Sequence, residues 1–159
     1  MDSLESIDNN SQAEICDYTM EDAGFMEQAI RLSEENIDKG GGPFGAVIVR
    51  RGKVVATGVN SVVPNNDPTA HAEINAIRSA CKTLGTFKLD GCTIYSSCEP
   101  CPMCLSALYW AGVSRICYGN TKSDAKAIGF DDSFIYDQLE LDYGLRTIKC
   151  DHFMRDRAL

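Results

Sequence analysis

The chain has 159 residues, 44% hydrophobic and 24% charged, a size and balance that fit one globular domain and exclude a mostly disordered chain. No apolar run approaches the ~20 residues of a membrane-spanning helix, and the first twenty residues, rich in Asp, Glu, Ser and Asn, do not read as a secretion signal. The formal charge of −8 is unevenly placed: eight acids and no Lys or Arg precede Arg31, the rest carries fifteen of each sign, and a neutral body without a basic stripe makes nucleic acid an unlikely partner.

Residues 1–19 are polar, acidic and aperiodic and read as a disordered extension, leaving residues 20–159 as a single domain. From about Met20, the spacing of Met26, Ala29, Ile30 and Ile37 predicts a helix that ends at Lys39-Gly40-Gly41-Gly42-Pro43. Ala46-Val47-Ile48-Val49 and Val54-Val55-Ala56 flank Arg51-Gly52 as a hairpin, and Pro64–Pro68 is a loop. A second helix is expected from about Thr69 to Leu84, with Ile74, Ile77 and Ala80 on its inner face. Cys92–Tyr95 reads as a strand, Cys101–Trp110 as a helix, and Arg115–Tyr118 as another strand. A short helix near Ala125 precedes an irregular Gly129–Tyr136 segment. Arg146–Cys150 is expected as the last strand, and Asp151–Leu159 as the opening of a final helix. The order predicts an α/β fold, a three-layer α/β/α sandwich around a five-stranded mixed sheet, with an N-terminal hairpin and crossovers after it.

Eight cysteines could form four disulfides. The size of the chain, the absence of a secretion signal and a C-x-x-C pair favour instead a reduced, cytoplasmic protein with a metal or redox site. His71 stands in Thr69-Ala70-His71-Ala72-Glu73 at the start of the second helix, and Pro100-Cys101-Pro102-Met103-Cys104 opens the third. One imidazole and two thiolates are three zinc ligands, which leave a fourth position for water. Helix N-termini favour thiolates, and the spacing of C-x-x-C lets both sulfurs reach one ion. Glu73, two residues after His71, is too close to ligate the same ion comfortably and can instead serve as the acid–base group. Together these residues match H-x-E…P-C-x-x-C, the pattern of zinc nucleobase deaminases.

Each residue alone has a blander reading. His71 could be a satisfied core histidine, Glu73 a solvated helix residue, and the cysteine pair part of a closed structural zinc site with Cys98 as fourth ligand. The combination favours the catalytic reading. Cys16, Cys81, Cys92, Cys117 and Cys150 read as apolar fillers or bystanders, and His152 as structurally ordinary.

Four stretches, Gly41-Gly42-Pro43-Phe44-Gly45-Ala46-Val47-Ile48-Val49, Asn66–Glu73, Ser97–Cys104 and Gly129-Phe130-Asp131-Asp132-Ser133-Phe134-Ile135-Tyr136, resemble the cytidine-deaminase-like superfamily. The last of them resembles its bacterial-type guanine deaminases in particular. The resemblance spans about residues 20–150 and implies a cytidine deaminase-like fold, one zinc ion per chain, a small purine substrate and a homodimer. It makes Phe44 a ring contact, Asn60 an amide that reads the base edge, Asp132 a carboxylate for the exocyclic amine and ring N–H, and Trp110 a pocket wall. Ala72 joins the substrate-binding set on the same ground. Core packing for Phe44 and helix capping for Asp132 stand as alternatives. The family pattern continues into an aromatic, basic C-terminal helix, so a sequence that stops at Leu159 implies either a missing tail or a different pocket closure. The expected reaction is guanine plus water to xanthine plus ammonia. The alternatives are the same chemistry on guanosine, cytosine or tRNA adenosine, and a non-catalytic zinc module.

Overall fold

The computed structural model describes residues 18–159, so nearly all of the acidic extension, with Cys16, lies outside the described residues. Helix α1 (Met20–Asp38) starts at a capping box in which Thr19 Oγ1 accepts from the Asp22 amide and the Asp22 carboxylate accepts from the Thr19 amide. Strands β1 (Gly45–Arg50) and β2 (Lys53–Val59) form the expected hairpin. Arg51 and Gly52 both sit at positive φ, 52° and 71°, as a two-residue type I′ turn requires. A short helix, α2 (Val62–Asn65), falls where a loop is predicted. Then come α3 (Ala72–Leu84), β3 (Cys92–Cys98), α4 (Pro102–Ala111) and β4 (Arg115–Asn120). The chain finishes with α5 (Lys122–Ala127), α6 (Ser133–Glu140), a 3₁₀ turn and α7 (Arg155–Ala158).

The sheet runs β2-β1-β3-β4, with β1 antiparallel to both neighbours and β3 parallel to β4. Central β1 is buried on both faces, which is why its sequence is a continuous apolar run rather than an alternating one. Val47 and Val49 pack with Ala29 and Tyr95 under α1. Ala46 and Ile48 pack on the other face with Ala72, Ala76 and Ala80 of α3 and with Leu108 of α4. Three layers therefore form, as predicted. A Cβ on Gly58 would run into the Ala72 carbonyl and the Ala76 amide, so glycine is what lets α3 lie directly on β2.

Three expectations are corrected. The sheet has four strands among the described residues, not five. Residues 146–150 join no ladder; the Thr147 amide donates to Gln138 Oε1 at 2.7 Å, and Ile148, their one strongly apolar side chain besides Cys150, is exposed. A segment with so little to bury gains little from a sheet face. Second, Gly129–Tyr136 is not wholly irregular, because α6 begins at Ser133 after Asp131 accepts from the Ser133 amide at 3.0 Å. Third, α3 begins at Ala72 rather than Thr69, because Asp67 Oδ1 accepts from both the Thr69 amide and hydroxyl and holds that residue in a turn.

Candidate active site

His71 is the N-cap residue of α3 and Cys101 that of α4, both with extended backbone. Cys104 lies one turn into α4 and is fully buried. Pro102 begins α4, where its missing N–H costs nothing. The two helix starts bring His71 Nδ1 to 3.5 Å from each sulfur, and the three donor atoms lie within 4.8 Å of one another.

The electrostatics of this cluster fit a divalent cation. The Cys104 thiol and His71 hydrogen-bond the Cys101 sulfur and hold its thiolate form at low pKa, while the neighbouring anion and burial push Cys104 up. The Cys101 contact also raises His71. An imidazole and two thiols this close together form a donor set that suits zinc, which binds cysteine as thiolate. Cys98 stands apart from this set: its thiol donates to the Thr121 carbonyl at 3.7 Å, and burial pushes it up to about 11.

Glu73 is buried at 6% exposure in the first turn of α3. Its Oε1 accepts from Ser96 Oγ at 3.2 Å, and its Oε2 lies 3.4 Å from Cys104 Sγ. Burial raises its pKa. The carboxylate thus borders the cluster and is not counted among its donors.

A cavity of about 650 Å³ opens over these groups, with His71, Glu73 and Cys101 on its wall. Phe44 and Phe130 meet edge to face on another side, with ring centroids 4.9 Å apart. Buried Asn60 lines the cavity, and its Oδ1 accepts from the Val62 amide at 3.2 Å. Asp132 stands at the N-cap position of α6 but makes no side-chain capping bond, and it lines the cavity. Partial burial raises its pKa, and Lys122 opposes that rise.

Two predicted contacts lie elsewhere. Ala72 is fully buried in the core between α3 and the sheet, and Trp110 is 82% exposed on α4, off the cavity wall. Sequence reasoning also missed three groups. Ser96 holds Glu73, and Phe130 forms half of the aromatic corner. Asn36, buried in α1, donates from Nδ2 to the Gly42 and Asn60 carbonyls, both at 2.8 Å, and so fixes the glycine loop beside the cavity. A Cβ on Gly41 would collide with that Asn36 amide. A polar residue in an otherwise apolar buried position is the only sequence signal for Ser96 or Asn36.

Residues 19–120 match the model of the cytidine and deoxycytidylate deaminase zinc-binding region. The chain belongs to this family. Within this deaminase family, it is 53% identical over 125 residues to a guanine deaminase of Bacillus subtilis, covering 78% of this chain and 80% of that protein. A tRNA-specific adenosine deaminase of Aquifex aeolicus is 40% identical over 94 residues, 59% of this chain and 62% of that one. The crystal structure of Bacillus subtilis guanine deaminase superposes with a TM-score of 0.83 at 48% identity, covering 86% of this chain and 87% of its own. A guanine deaminase from Nitrosomonas europaea gives 0.67 at 37% identity, covering 72% of this chain and 65% of that one. The family zinc site accounts for the His71, Cys101 and Cys104 cluster, and one zinc ion per chain is the deaminase cofactor. The chain is therefore a zinc-dependent nucleobase deaminase.

Proposed function

We propose that the chain converts guanine and water to xanthine and ammonia. The observation that carries this reading is a cavity with Glu73 beside the His71, Cys101 and Cys104 cluster and Asp132 on its wall, in a chain 53% identical to a guanine deaminase. Two solved neighbours hold 2,6-diaminopurine and 8-azaguanine, flat bicyclic purines of the size this cavity takes.

Zinc held by His71, Cys101 and Cys104 supplies Lewis acidity that makes a water nucleophilic near neutral pH. The chain's own groups do the rest. Phe44 and Phe130 give the base a flat apolar wall. The Asp132 carboxylate accepts from N1–H and the 2-amino group, both donors on guanine, and the Asn60 amide donates to an acceptor on the ring. Glu73 takes a proton from the attacking water as oxygen bonds to C2, and passes it to the ring nitrogen. It then moves the remaining hydroxyl proton to the amine, which leaves as ammonia while the C2 carbonyl forms.

Adenine presents an acceptor at N1 and has no 2-amino group, so it would leave Asp132 unpaired. Ammonia release compared across guanine, guanosine, cytosine and adenine tests the assignment; guanine is expected to lead, and a preference for cytosine or guanosine overturns it. We also propose a homodimer, supported by exposed Tyr109 and Trp110 on α4; a light-scattering mass near 17.4 kDa would refute it. A cytoplasmic location is supported by the Cys101 and Cys104 thiols of the donor cluster, which a reducing compartment keeps available to a metal. No described helix is long and apolar enough to cross a membrane.

A further inference from the structure

Strand β3 continues to Cys98, beyond the expected end at Tyr95, and this extension brings a serine into the interior. Side chains two residues apart on a strand share a face, so Cys92, Ile94 and Ser96 point the same way. Cys92 and Ile94 pack into the apolar core against α3 and α4. Ser96 follows at 2% exposure, and its hydroxyl donates to Glu73 Oε1 at 3.2 Å. A buried hydroxyl with no partner is costly, so at this position either an apolar side chain or a paired one is expected. The strand supplies a paired one.

The Glu73 oxygens therefore face different surroundings. Oε1 is tied to the sheet through Ser96, while Oε2 looks to the Cys104 sulfur 3.4 Å away. A glutamate carboxylate otherwise turns freely about its last torsion. The Ser96 backbone is paired on both sides, with Ala46 of β1 and with Tyr118 of β4, so a carboxylate that turned away would leave the hydroxyl's origin fixed behind it and lose the bond.

We infer that Ser96 is a positioning residue that pins Glu73 Oε1 and reserves Oε2 as the oxygen that takes and returns the proton. The inference rests on the proposed acid–base role of Glu73. Its chemistry is self-consistent through the cycle. When Oε2 is ionised, Ser96 donates to a carboxylate oxygen; when Oε2 carries the proton, Oε1 is the carbonyl oxygen of the acid and still accepts. The same hydrogen bond survives both states, so no proton transfer has to break it. Were the tied oxygen the one that exchanges protons, each transfer would compete with the serine for its lone pairs.

The test compares Ser96→Ala, Ser96→Thr and Glu73→Gln, with Ser96→Ala in both the parent and the Glu73→Gln background. Rates of guanine turnover are expressed per bound zinc, and melting temperature is measured alongside. Ser96→Ala should lower kcat by about 10–100-fold, the scale of one hydrogen bond to a charged group, and leave KM within about twofold because the substrate contacts are untouched. Ser96→Thr keeps the hydroxyl and should restore most of the rate. In single turnovers of the Glu73→Gln background, removing the serine should change nothing further. Full kcat in Ser96→Ala, or an equal loss in the Glu73→Gln background, would overturn the inference. So would a rise in KM matching the fall in kcat. If Ser96→Thr packs poorly, the Glu73→Gln comparison still decides the question, since a serine that matters only for packing would act in both backgrounds. Near-normal turnover in Glu73→Gln itself would instead remove the Glu73 role, whereas an inactive Glu73→Gln beside a fully active Ser96→Ala would remove only the role of Ser96.

Discussion

Glu73→Gln separates chemistry from folding, because its two expected effects have opposite signs. Glutamine keeps the shape of the side chain and still offers an oxygen to the Ser96 hydroxyl, which donates to Oε1 at 3.2 Å. What it removes is a group able to accept a proton. General acid–base assistance is worth about 10²–10⁴-fold, so kcat should fall by at least 100-fold, equivalent to about 2.7–5.4 kcal/mol of transition-state stabilisation. Stability should move the other way once zinc is stripped by a chelator. Burial raises the carboxyl above its ordinary value of 4.5. A raised carboxyl favours the fold below that ordinary value, and the benefit is lost as pH rises through the folded pKa. Above that ordinary value the buried carboxyl of the metal-free parent therefore weakens the fold, and the glutamine variant carries no such penalty. Ammonia release gives the rate, elemental analysis the zinc content, and thermal melts from pH 4 to 8 the stability. A metal-free variant that melts below the parent at pH 7, or a variant that turns over guanine normally, would refute the reasoning.

Three other predictions follow from single contacts. Asp132→Asn should retain zinc and lose about 1.5–3 kcal/mol in kcat/KM for guanine, the scale of a charged hydrogen bond; a variant as active as the parent would argue against the pairing. Asp22 accepts from the Thr19 amide, the Tyr95 hydroxyl and Arg115, contacts that hold its carboxyl below the usual range, with the Thr19 backbone bond the largest influence. Its contribution is present above the ordinary carboxyl value of 3.8 and fades as pH falls, so Asp22→Asn should flatten the acid limb of a urea-denaturation series and cost about 1.5–3 kcal/mol at pH 7. Cys98→Ala should bind one zinc per chain like the parent, since the Cys98 thiol donates to Thr121 and lies outside the donor cluster; metal analysis showing a loss of zinc would contradict this.

The local parts of the site were legible because their chemistry is written in short spacings. His71 and Glu73 share one turn, Cys101 and Cys104 share the next helix start, and the apolar runs of β1, β2 and α3 mark the layers that hold them. What escaped was long-range. Ser96 meets Glu73 across 23 positions and Asn36 meets Asn60 across 24, and nothing in the neighbourhood of either residue announces its partner. Arg146–Cys150 failed for a related reason: strand propensity describes a half-buried surface, and this segment has no such surface to join. Helix α6 is only partly legible, because Asp132 takes the N-cap position while the side chain that holds the starting turn is that of Asp131.

No described residue after Ala111 is buried. The zinc-binding residues all precede that point, whereas Phe130 and Asp132 follow it. The metal-binding residues and the Phe130 and Asp132 part of the cavity wall thus belong to parts of the chain with very different local unfolding free energies. Amide hydrogen exchange should be slow through β1 and α3 and fast through α5 and α6, with little coupling between the two rates. Under the proposed guanine reading, this part of the wall is separable from the reaction centre: substitutions around residues 129–136 should change which ring is accepted while the zinc site, held by a core that closes without them, stays assembled.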